Sequence, residues 1–298
     1  MIKKLKKTFL LIAGLTLVSL MYAAPANSDK GTVVEIYYPT QDYTVPDKKL
    51  ISQDKYNKHA FVYLPAGYDA EDKETKYPLV ILQHGNGGNE WAWGLHEDGD
   101  IRHSLDNGIA SGKVKKMIVV TASGVSDKSW QNTKNGSSLK GANKFGSELK
   151  NDLLPYLKEN FNILEGRENT AMAGLSMGAE QTMNIGIGEC LDLISYFGAF
   201  SSIPFSVPLD PGSAYKRPAA YMNGVDKTFN SELKIKLLYM TCGTNDRGFY
   251  PGYSAYIQKM PKWERIEKFE KETIQGADHE WKVWTNGFDH FIQMIFKE

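Results

Sequence analysis

The sequence predicts an α/β fold in which helices cover both faces of a mostly parallel β-sheet. Short apolar runs recur along the chain, as expected for strands that are buried on both faces. Segments with helical patterning alternate with these runs, which is the order of crossover connections in a parallel sheet. No repeat or low-complexity linker interrupts residues 31–298. We therefore expect one domain over residues 27–298.

The predicted elements follow one another in a regular order. Strands are predicted at residues 32–38, 59–64, 78–83, 117–121, 170–174, 196–200, 236–241 and 267–274. Helices are predicted at residues 145–161, 180–188 and 288–296. In the first helix, an apolar residue recurs every four positions and forms one stripe, at Phe145, Leu149, Leu153 and Leu157. Pro155 lies inside this pattern and predicts a kink or a helix boundary.

The first 26 residues have the order of a secretory signal peptide. Four lysines between residues 3 and 7 precede an apolar run at residues 9–22, and residues 24–26 offer a small-x-small cleavage site. The apolar run is short for a membrane span. We therefore expect an exported protein that has no membrane partner after cleavage. Removing the four lysines from the 35 basic residues leaves 31 against 35 acidic residues, a net charge of −4. This balance argues against nucleic acid as a partner.

The two cysteines, Cys190 and Cys242, leave two alternatives open. They either form one disulfide in an oxidising compartment or remain as two buried thiols. Such a sparse pair does not form a zinc site, and no metal-ligand pattern is found elsewhere. We expect no cofactor.

Residues 174–178 place Ser176 inside a Gly-x-Ser-x-Gly motif, directly after a short apolar strand and before a helix. A serine on such a strand-to-helix turn is held in a strained conformation that exposes its hydroxyl. The following helix brings backbone N–H groups and a partial positive charge. Ser176 is therefore a candidate nucleophile. The alternative is a glycine turn that only packs a helix on the sheet.

A glycine-rich loop, residues 84–89, follows the strand at residues 78–83. Its exposed backbone amides could stabilise a negative oxygen. A phosphate loop is the competing interpretation, but the Gly-Lys-Ser/Thr ending is missing. With a serine turn nearby, we expect an oxyanion hole formed by the N–H groups of Asn86 and Met177.

A catalytic serine needs a base and an acid. Of the six histidines, His279 follows a late strand and precedes the last helix, and His290 is the runner-up. Asp246 lies at the end of the strand at residues 236–241, whereas Asp278 is adjacent to His279 and would point away from it. Asp226 lies too early in the chain. The order Ser176, Asp246, His279 is the chain order of the hydrolases that carry this serine turn.

Several stretches resemble the esterases of carbohydrate esterase family 1, especially bacterial feruloyl and acetyl-xylan esterases. They are residues 62–69, 77–78 with 84–90, 174–178 with 181–186, 242–246 and 279–284. The resemblance covers the chain from about residue 31 to its end and implies an α/β-hydrolase fold and a serine carboxylic-ester hydrolase. The family's triad corresponds to Ser176, Asp246 and His279. The chain departs from the family at residues 122–123, 179 and 277–278, which border the site.

Tryptophans near the predicted site suggest how the substrate is held. Trp91, Trp130 and Trp281 could stack on a sugar ring or a phenolic acyl group, although tryptophan is also a frequent core residue. Together with the predicted signal peptide, the resemblance implies an exported serine esterase that removes feruloyl or acetyl groups from polysaccharide such as xylan, or acts on small-molecule esters. The alternatives are a related thioesterase or acyltransferase, and a carbohydrate-binding homologue without catalysis.

Overall fold

The computed structural model describes residues 29–97, 100–131, 139–202, 232–258 and 264–297. Within these residues, eight strands form one sheet. They are β1 (Thr32–Gln41), β2 (Lys55–Leu64), β3 (Leu79–Gln83), β4 (Ile118–Ala122), β5 (Thr170–Leu175), β6 (Tyr196–Phe200), β7 (Leu237–Gly243) and β8 (Phe269–Ile274). Each of them overlaps one of the strands predicted from the sequence. The predicted signal peptide lies outside the described residues.

The strand order is β1-β2-β4-β3-β5-β6-β7-β8. β2 runs antiparallel to both β1 and β4, and the remaining neighbours are parallel, which confirms the predicted mostly parallel sheet. The direction of strand addition reverses between β3 and β5. Such a switch point leaves a crevice at the carboxyl ends of the strands, where α/β proteins bind ligands.

Helices pack against the two faces of the sheet. They are α1 (Asp100–Ala110), α2 (Leu139–Ala142), α3 (Phe145–Glu148), α4 (Leu154–Asn160), α5 (Met177–Gln181), α6 (Tyr250–Ile257) and α7 (Trp281–Met294). Alternate residues of β3 belong to different hydrophobic clusters, because successive side chains of a strand point to opposite faces. Leu79 packs with the α3–α4 region, and Val80 packs with α1 and α7. The sheet therefore has a core on each face.

The strands differ in how deeply they are buried. Every residue of β5 and β7 is buried, whereas β8 has no fully buried residue. β8 lies at the edge of the sheet and pairs only with β7 among the described strands.

The helix predicted at residues 145–161 is interrupted. A π-helical turn at Leu149–Leu153 separates α3 from α4. Pro155 is the second residue of α4, so the wider π-helical turn comes directly before the proline, whose ring and missing N–H disturb an α-helix. A continuous α-helix would have lost a bond at this position. The predicted apolar stripe is confirmed, since Phe145, Leu149, Leu153 and Leu157 are all fully buried.

The last helix begins at Trp281, seven residues before the predicted start at residue 288. Its first two turns were not predicted because polar residues and Gly287 weaken the apolar periodicity there. The stripe of Val283, Trp284, Gly287 and Phe288 nonetheless faces the core. Gly287 is required there because a Cβ would lie 2.7 Å from Thr241 and 2.8 Å from a ring atom of Phe200.

A fully buried ion pair ties the antiparallel edge of the sheet to α3. Lys58 Nζ on β2 lies 2.7 and 2.8 Å from the two carboxylate oxygens of Glu148 and donates to the carbonyl oxygen of Val125 at 2.8 Å. Tyr38 on β1 donates its hydroxyl to Glu148 at 2.6 Å. Burial raises the pKa of Tyr38 well above its usual value, and the Glu148 charge adds to this.

Cys190 and Cys242 are both buried and unpaired, so the structure favours two thiols over a disulfide. Among the described residues, no helix is long and apolar enough to cross a membrane.

Candidate active site

Ser176 occupies the sharp turn between β5 and α5. Its backbone has φ 51° and ψ −115°, a conformation that is costly for a residue with a Cβ. The serine N–H donates to the carbonyl oxygen of Phe200 on the neighbouring strand at 2.9 Å, which helps to hold the turn in place.

The two glycines of the motif allow the backbones around Ser176 to approach closely. A Cβ on Gly178 would lie 2.5 Å from the carbonyl oxygen of His84, and a Cβ on Gly174 would lie 2.6 Å from Gly178. Both contacts are with backbone, which cannot swing aside. The motif is therefore required by packing, as expected for a strand–turn–helix elbow.

The glycine-rich loop after β3 lies against Ser176. A Cβ built on Gly85 would lie only 3.4 Å from the Ser176 Cβ. Asn86, the next residue, is exposed, and Met177 is the first residue of α5. The first-turn N–H groups of a helix have no carbonyl partner within it. The N–H groups of Asn86 and Met177 thus belong to the two backbone segments that flank the serine, and their role as an oxyanion hole stays a prediction.

The buried side chain of His84 holds this loop in place by hydrogen bonds. Its Nδ1 lies 2.7 Å from the carbonyl oxygen of Gly85, and its Nε2 lies 3.1 Å from the N–H of Gly124. Since Gly124 can only donate, Nε2 accepts and Nδ1 carries the proton. Complete burial lowers the pKa of His84 to about 4, so the ring is neutral at pH 7. The neutral ring therefore donates to the carbonyl oxygen of Gly85 and accepts from the N–H of Gly124, and so joins the two loops.

His279 and Asp246 form a hydrogen-bonded pair. His279 Nδ1 lies 2.7 Å from Asp246 Oδ2. Asp246 follows β7 and is 2% exposed, and its Oδ1 accepts the N–H of Phe249 at 3.2 Å. The His279 ring stacks on Phe249 at 4.6 Å and meets the edge of Trp284 at 5.0 Å. These contacts leave one ring nitrogen of His279, Nε2, for a proton donor.

The competing residues are engaged elsewhere. The carboxylate of Asp278 is exposed and accepts the backbone N–H of His279, so it does not contact the imidazole. His290 Nδ1 lies 2.7 Å from Glu272 Oε2. Asp226 lies outside the described residues. The geometry therefore favours Asp246 and His279 over the alternatives, while the triad itself stays a prediction.

A set of contacts that the sequence did not indicate links the end of β6, the neighbour of the nucleophile strand β5, to the base. Ser201, directly after β6, has a positive φ of 52° and is fully buried. Its hydroxyl accepts the indole N–H of Trp284 at 3.0 Å, and Trp284 in turn contacts His279. Ser201 could have been found by its place at the carboxyl end of the strand at residues 196–200. Nothing in the sequence indicates its backbone conformation.

Cys242 lies beneath the carboxylate that orients the base. Its Sγ is 3.9 Å from Asp246 Oδ2. Burial, together with the charge of Asp246, raises the pKa of the thiol to about 12. Cys242 is therefore a protonated thiol at pH 7 and a weak donor toward Asp246.

The three tryptophans predicted to contact substrate differ in exposure. Trp91 and Trp281 are 43% and 44% exposed, whereas Trp130 is 8% exposed and stacks on Tyr56. Trp281 contacts Trp284, which packs against the base His279, and the ring centroids of the two tryptophans are 5.1 Å apart. Trp130 therefore offers little free ring surface, and substrate contact by any of the three stays a prediction.

Among the described residues, no group of three or more histidine, cysteine or acidic side chains is arranged to hold a metal ion. A groove of about 590 Å³ lies between α1 and α7. It is lined by polar residues such as His103 and Lys282 and includes none of the predicted triad.

Comparison with known proteins relates this geometry to a family. The family model described as "Putative esterase" matches residues 55–296. The endo-1,4-beta-xylanase/feruloyl esterase of Xylanibacter ruminicola is 30% identical over 243 residues, which is 80% of this chain and 29% of that protein. The chain thus spans less than a third of the length of this curated relative.

Solved structures show the same architecture. The CE1 ferulic acid esterase of the anaerobic fungus Anaeromyces mucronatus, in complex with ferulic acid, is 28% identical with a TM-score of 0.68. The alignment covers 93% of this chain and 95% of that one. The feruloyl esterase module of Clostridium thermocellum, complexed with sinapinate, shares the fold at 21% identity, with a TM-score of 0.67 and coverage of 94% and 92%. Because the family model covers most of the chain, the chain belongs to this family of esterases, and it has the α/β-hydrolase fold of the CE1 ferulic acid esterases to which it is similar.

Proposed function

We propose that this protein is an exported feruloyl esterase that cleaves feruloyl groups from plant cell-wall polysaccharide such as xylan, through an acyl-enzyme on Ser176. The observation that carries the mechanism is the 2.7 Å contact between His279 Nδ1 and Asp246, at the sheet edge where Ser176 occupies its strained turn. The related esterases support the substrate class, since two of them bind ferulic acid or sinapinate.

The first half-reaction forms the acyl-enzyme. His279 Nε2 takes the proton of the Ser176 hydroxyl while the serine oxygen attacks the ester carbonyl. Asp246 holds the Nδ1–H tautomer and stabilises the imidazolium that forms. The N–H groups of Asn86 and Met177 donate to the oxyanion. Loss of one such donor raises the barrier by about 2.7–4 kcal/mol.

Collapse of this intermediate breaks the bond to the sugar oxygen. His279 donates its proton to the leaving alcohol and then accepts a proton from water as the water oxygen attacks the acyl carbonyl. The second tetrahedral intermediate collapses with cleavage of its bond to Ser176 Oγ, His279 returns the proton to Oγ, and the acid is released. Every proton that moves passes through Nε2. The pairing of His279 with Asp246 supports catalysis over the alternative of a carbohydrate-binding homologue, which has no need of an oriented base.

The aromatic surroundings of the base favour a phenolic acyl group over acetate. Phe249 stacks on His279, and Trp281 and Trp284 follow with adjacent centroids 5.1 Å apart. We propose that the feruloyl ring lies against Trp281, whose side chain is partly exposed. An acetyl group has no aromatic ring that could stack on this surface.

The test is hydrolysis of methyl ferulate and an aryl acetate by the mature chain, beside Ser176→Ala. We expect methyl ferulate to be the better substrate and Ser176→Ala to be inactive on both. A higher kcat/KM on the acetate would replace the feruloyl assignment with a deacetylase. If Ser176→Ala kept the activity of the wild type, the proposed acyl-enzyme mechanism would be overturned. Export is tested separately, by N-terminal sequencing of the secreted protein for cleavage after Ala26.

A further inference from the structure

A second aromatic surface lies on the antiparallel side of the sheet. Tyr37 on β1 and Trp91 after the glycine-rich loop are 61% and 43% exposed. Both rings contact the same buried side chain, His59 on β2, with centroid separations of 5.0 and 5.4 Å. The Tyr37–Trp91 pair therefore consists of two exposed aromatic rings that pack on one shared buried ring.

The indole of Trp91 is held rigidly. It stacks on His59 and meets Phe61 at 4.4 Å and His96 at 4.5 Å, both at nearly perpendicular angles. His59 is held in turn by the buried carboxylate of Glu90, with Nδ1 and Oε1 3.1 Å apart. A large exposed side chain that is already fixed loses little conformational entropy when a ligand covers it. Such an arrangement is typical of a binding surface.

The surface lies at the same edge of the sheet as Ser176. His59 is adjacent to Ala60, which pairs with Ala122, the last residue of β4. β2 and β5 are separated by β4 and β3, so three inter-strand steps of about 4.8 Å place His59 roughly 14 Å from the strand that carries the serine. A small ester does not extend across this distance. A short oligosaccharide that carries the ester does.

We propose that the Tyr37–Trp91 pair is a subsite for the carbohydrate chain of the substrate. The C–H bonds on the face of a sugar ring carry partial positive charge and stack on the negative face of an aromatic ring. Glu35 is exposed on the same side of β1 as Tyr37 and lies 3.6 Å from His59. Its carboxylate can accept hydrogen bonds from sugar hydroxyls.

A protein partner fits this surface less well. Specific protein interfaces bury about 800 Å² per partner, with an apolar centre. Here two rings stand beside a carboxylate, and the other exposed large apolar side chains of the described residues are Ile51, Leu233 and Trp281. Two isolated rings with a polar acceptor suit a sugar chain.

The subsite rests on the proposed function, and the test compares two substrates that differ only in the carbohydrate. One is methyl ferulate, and the other is a feruloylated xylo-oligosaccharide. We expect Trp91→Ala and Tyr37→Ala to lower the kcat/KM ratio of oligosaccharide to methyl ferulate about tenfold, which corresponds to the loss of one aromatic contact. Trp91→Phe retains a ring and should recover part of the ratio. Ile51→Ala is the matched control and should not change the ratio, because Ile51 is an apolar side chain between β1 and β2 that is 57% exposed.

Binding provides a readout that does not depend on turnover. Calorimetric titration of the Ser176→Ala protein with an unesterified xylo-oligosaccharide should show heat that Tyr37→Ala removes. If wild-type protein does not hydrolyse methyl ferulate, the proposed function fails while this titration still tests the subsite. An unchanged ratio in both alanine variants, together with binding that persists in them, would overturn the subsite. A dimer that dissociates on Trp91→Ala would also overturn it, by assigning the surface to a contact between copies.

Discussion

Substitution of Gly178 by alanine tests whether the elbow depends on close backbone contact. The new Cβ would lie 2.5 Å from the carbonyl oxygen of His84 and 2.6 Å from that of Gln83, whereas ordinary contact begins at 3.4 Å. The helix and the loop must therefore separate by about 0.9 Å, the difference between 3.4 and 2.5 Å. That movement would carry the N–H of Met177 away from the oxyanion position.

A misplacement of about 1 Å in a catalytic group can cost about 100-fold in rate. We expect kcat/KM on methyl ferulate to fall by about that factor, or about 2.7 kcal/mol of barrier. Overpacking should also lower the free energy of unfolding by about 1–3 kcal/mol. Steady-state kinetics on folded protein and urea unfolding measure the two effects separately.

Gly186→Ala is the matched control. Gly186 is buried in the π-helical segment Thr182–Ile187 that directly follows α5, but its Cβ would meet a side chain, Phe197, at 3.0 Å. Since a side chain can adjust, we expect kcat/KM to stay within about threefold of wild type. The reasoning is refuted if Gly178→Ala retains wild-type kcat/KM, or if both variants lose activity equally.

Three further predictions concern the base, the buried ion pair and the oxyanion loop. Asp246→Asn should lower kcat by about 10⁴-fold without unfolding the protein, because the asparagine favours the wrong tautomer of the base. Glu148→Gln should lower the free energy of unfolding by about 3–5 kcal/mol in urea, since it leaves the Lys58 ammonium buried without a counter-charge. Because the pKa of His84 is about 4 in the folded protein and 6.5 in the unfolded chain, its stabilising contribution is complete above pH 6.5 and decreases as the pH falls toward 4. Stability measured from pH 7.5 to 4.5 should therefore change by up to about 1.4 kcal/mol per pH unit in that window, and less in His84→Gln.

Each of these predictions has a contrasting outcome. Asp246→Asn with more than a tenth of wild-type kcat would exclude Asp246 as the orienting acid. Lys158→Ala removes an exposed ion pair with Glu165 and should cost less than about 1 kcal/mol, so an equal loss in Glu148→Gln would contradict the role of burial. A pH dependence that is identical with and without His84 would show that other groups control stability there.

Much of the fold follows from local patterns. Strands such as β3 and β6 were recognised as short apolar runs because burial on both faces leaves no room for polar residues. The start of α7 was missed because its first turns carry Lys282, Thr285 and Asn286 on the solvent side, which dilutes the apolar signal. Only Pro155 indicated the π-helical turn before α4. The proline predicted a kink or a helix boundary but not which geometry it would take.

The candidate site divides in a similar way. Asp246 and His279 could be selected by strand ends and chain order, because parallel strands bring their carboxyl ends to one edge. The burial of Trp130 could not be predicted from the sequence, since it depends on stacking with Tyr56, 74 positions earlier in the chain. The positive φ of Ser201 depends likewise on tertiary contacts that local sequence does not encode.

The half-buried edge position of β8 has a consequence for how the enzyme loses activity on heating. The loop that carries His279 follows this strand and is fixed to β7 by the N–H groups of Thr244 and Asn245, at 3.0 and 2.8 Å from their acceptors. Edge segments with little buried apolar surface open at a lower free energy than the core. Opening of β8 would withdraw the imidazole from Asp246 while β5 and the elbow stay folded. We therefore expect inactivation and global unfolding to be separate events, with activity lost at a lower temperature than the change in circular dichroism and recovered on prompt cooling.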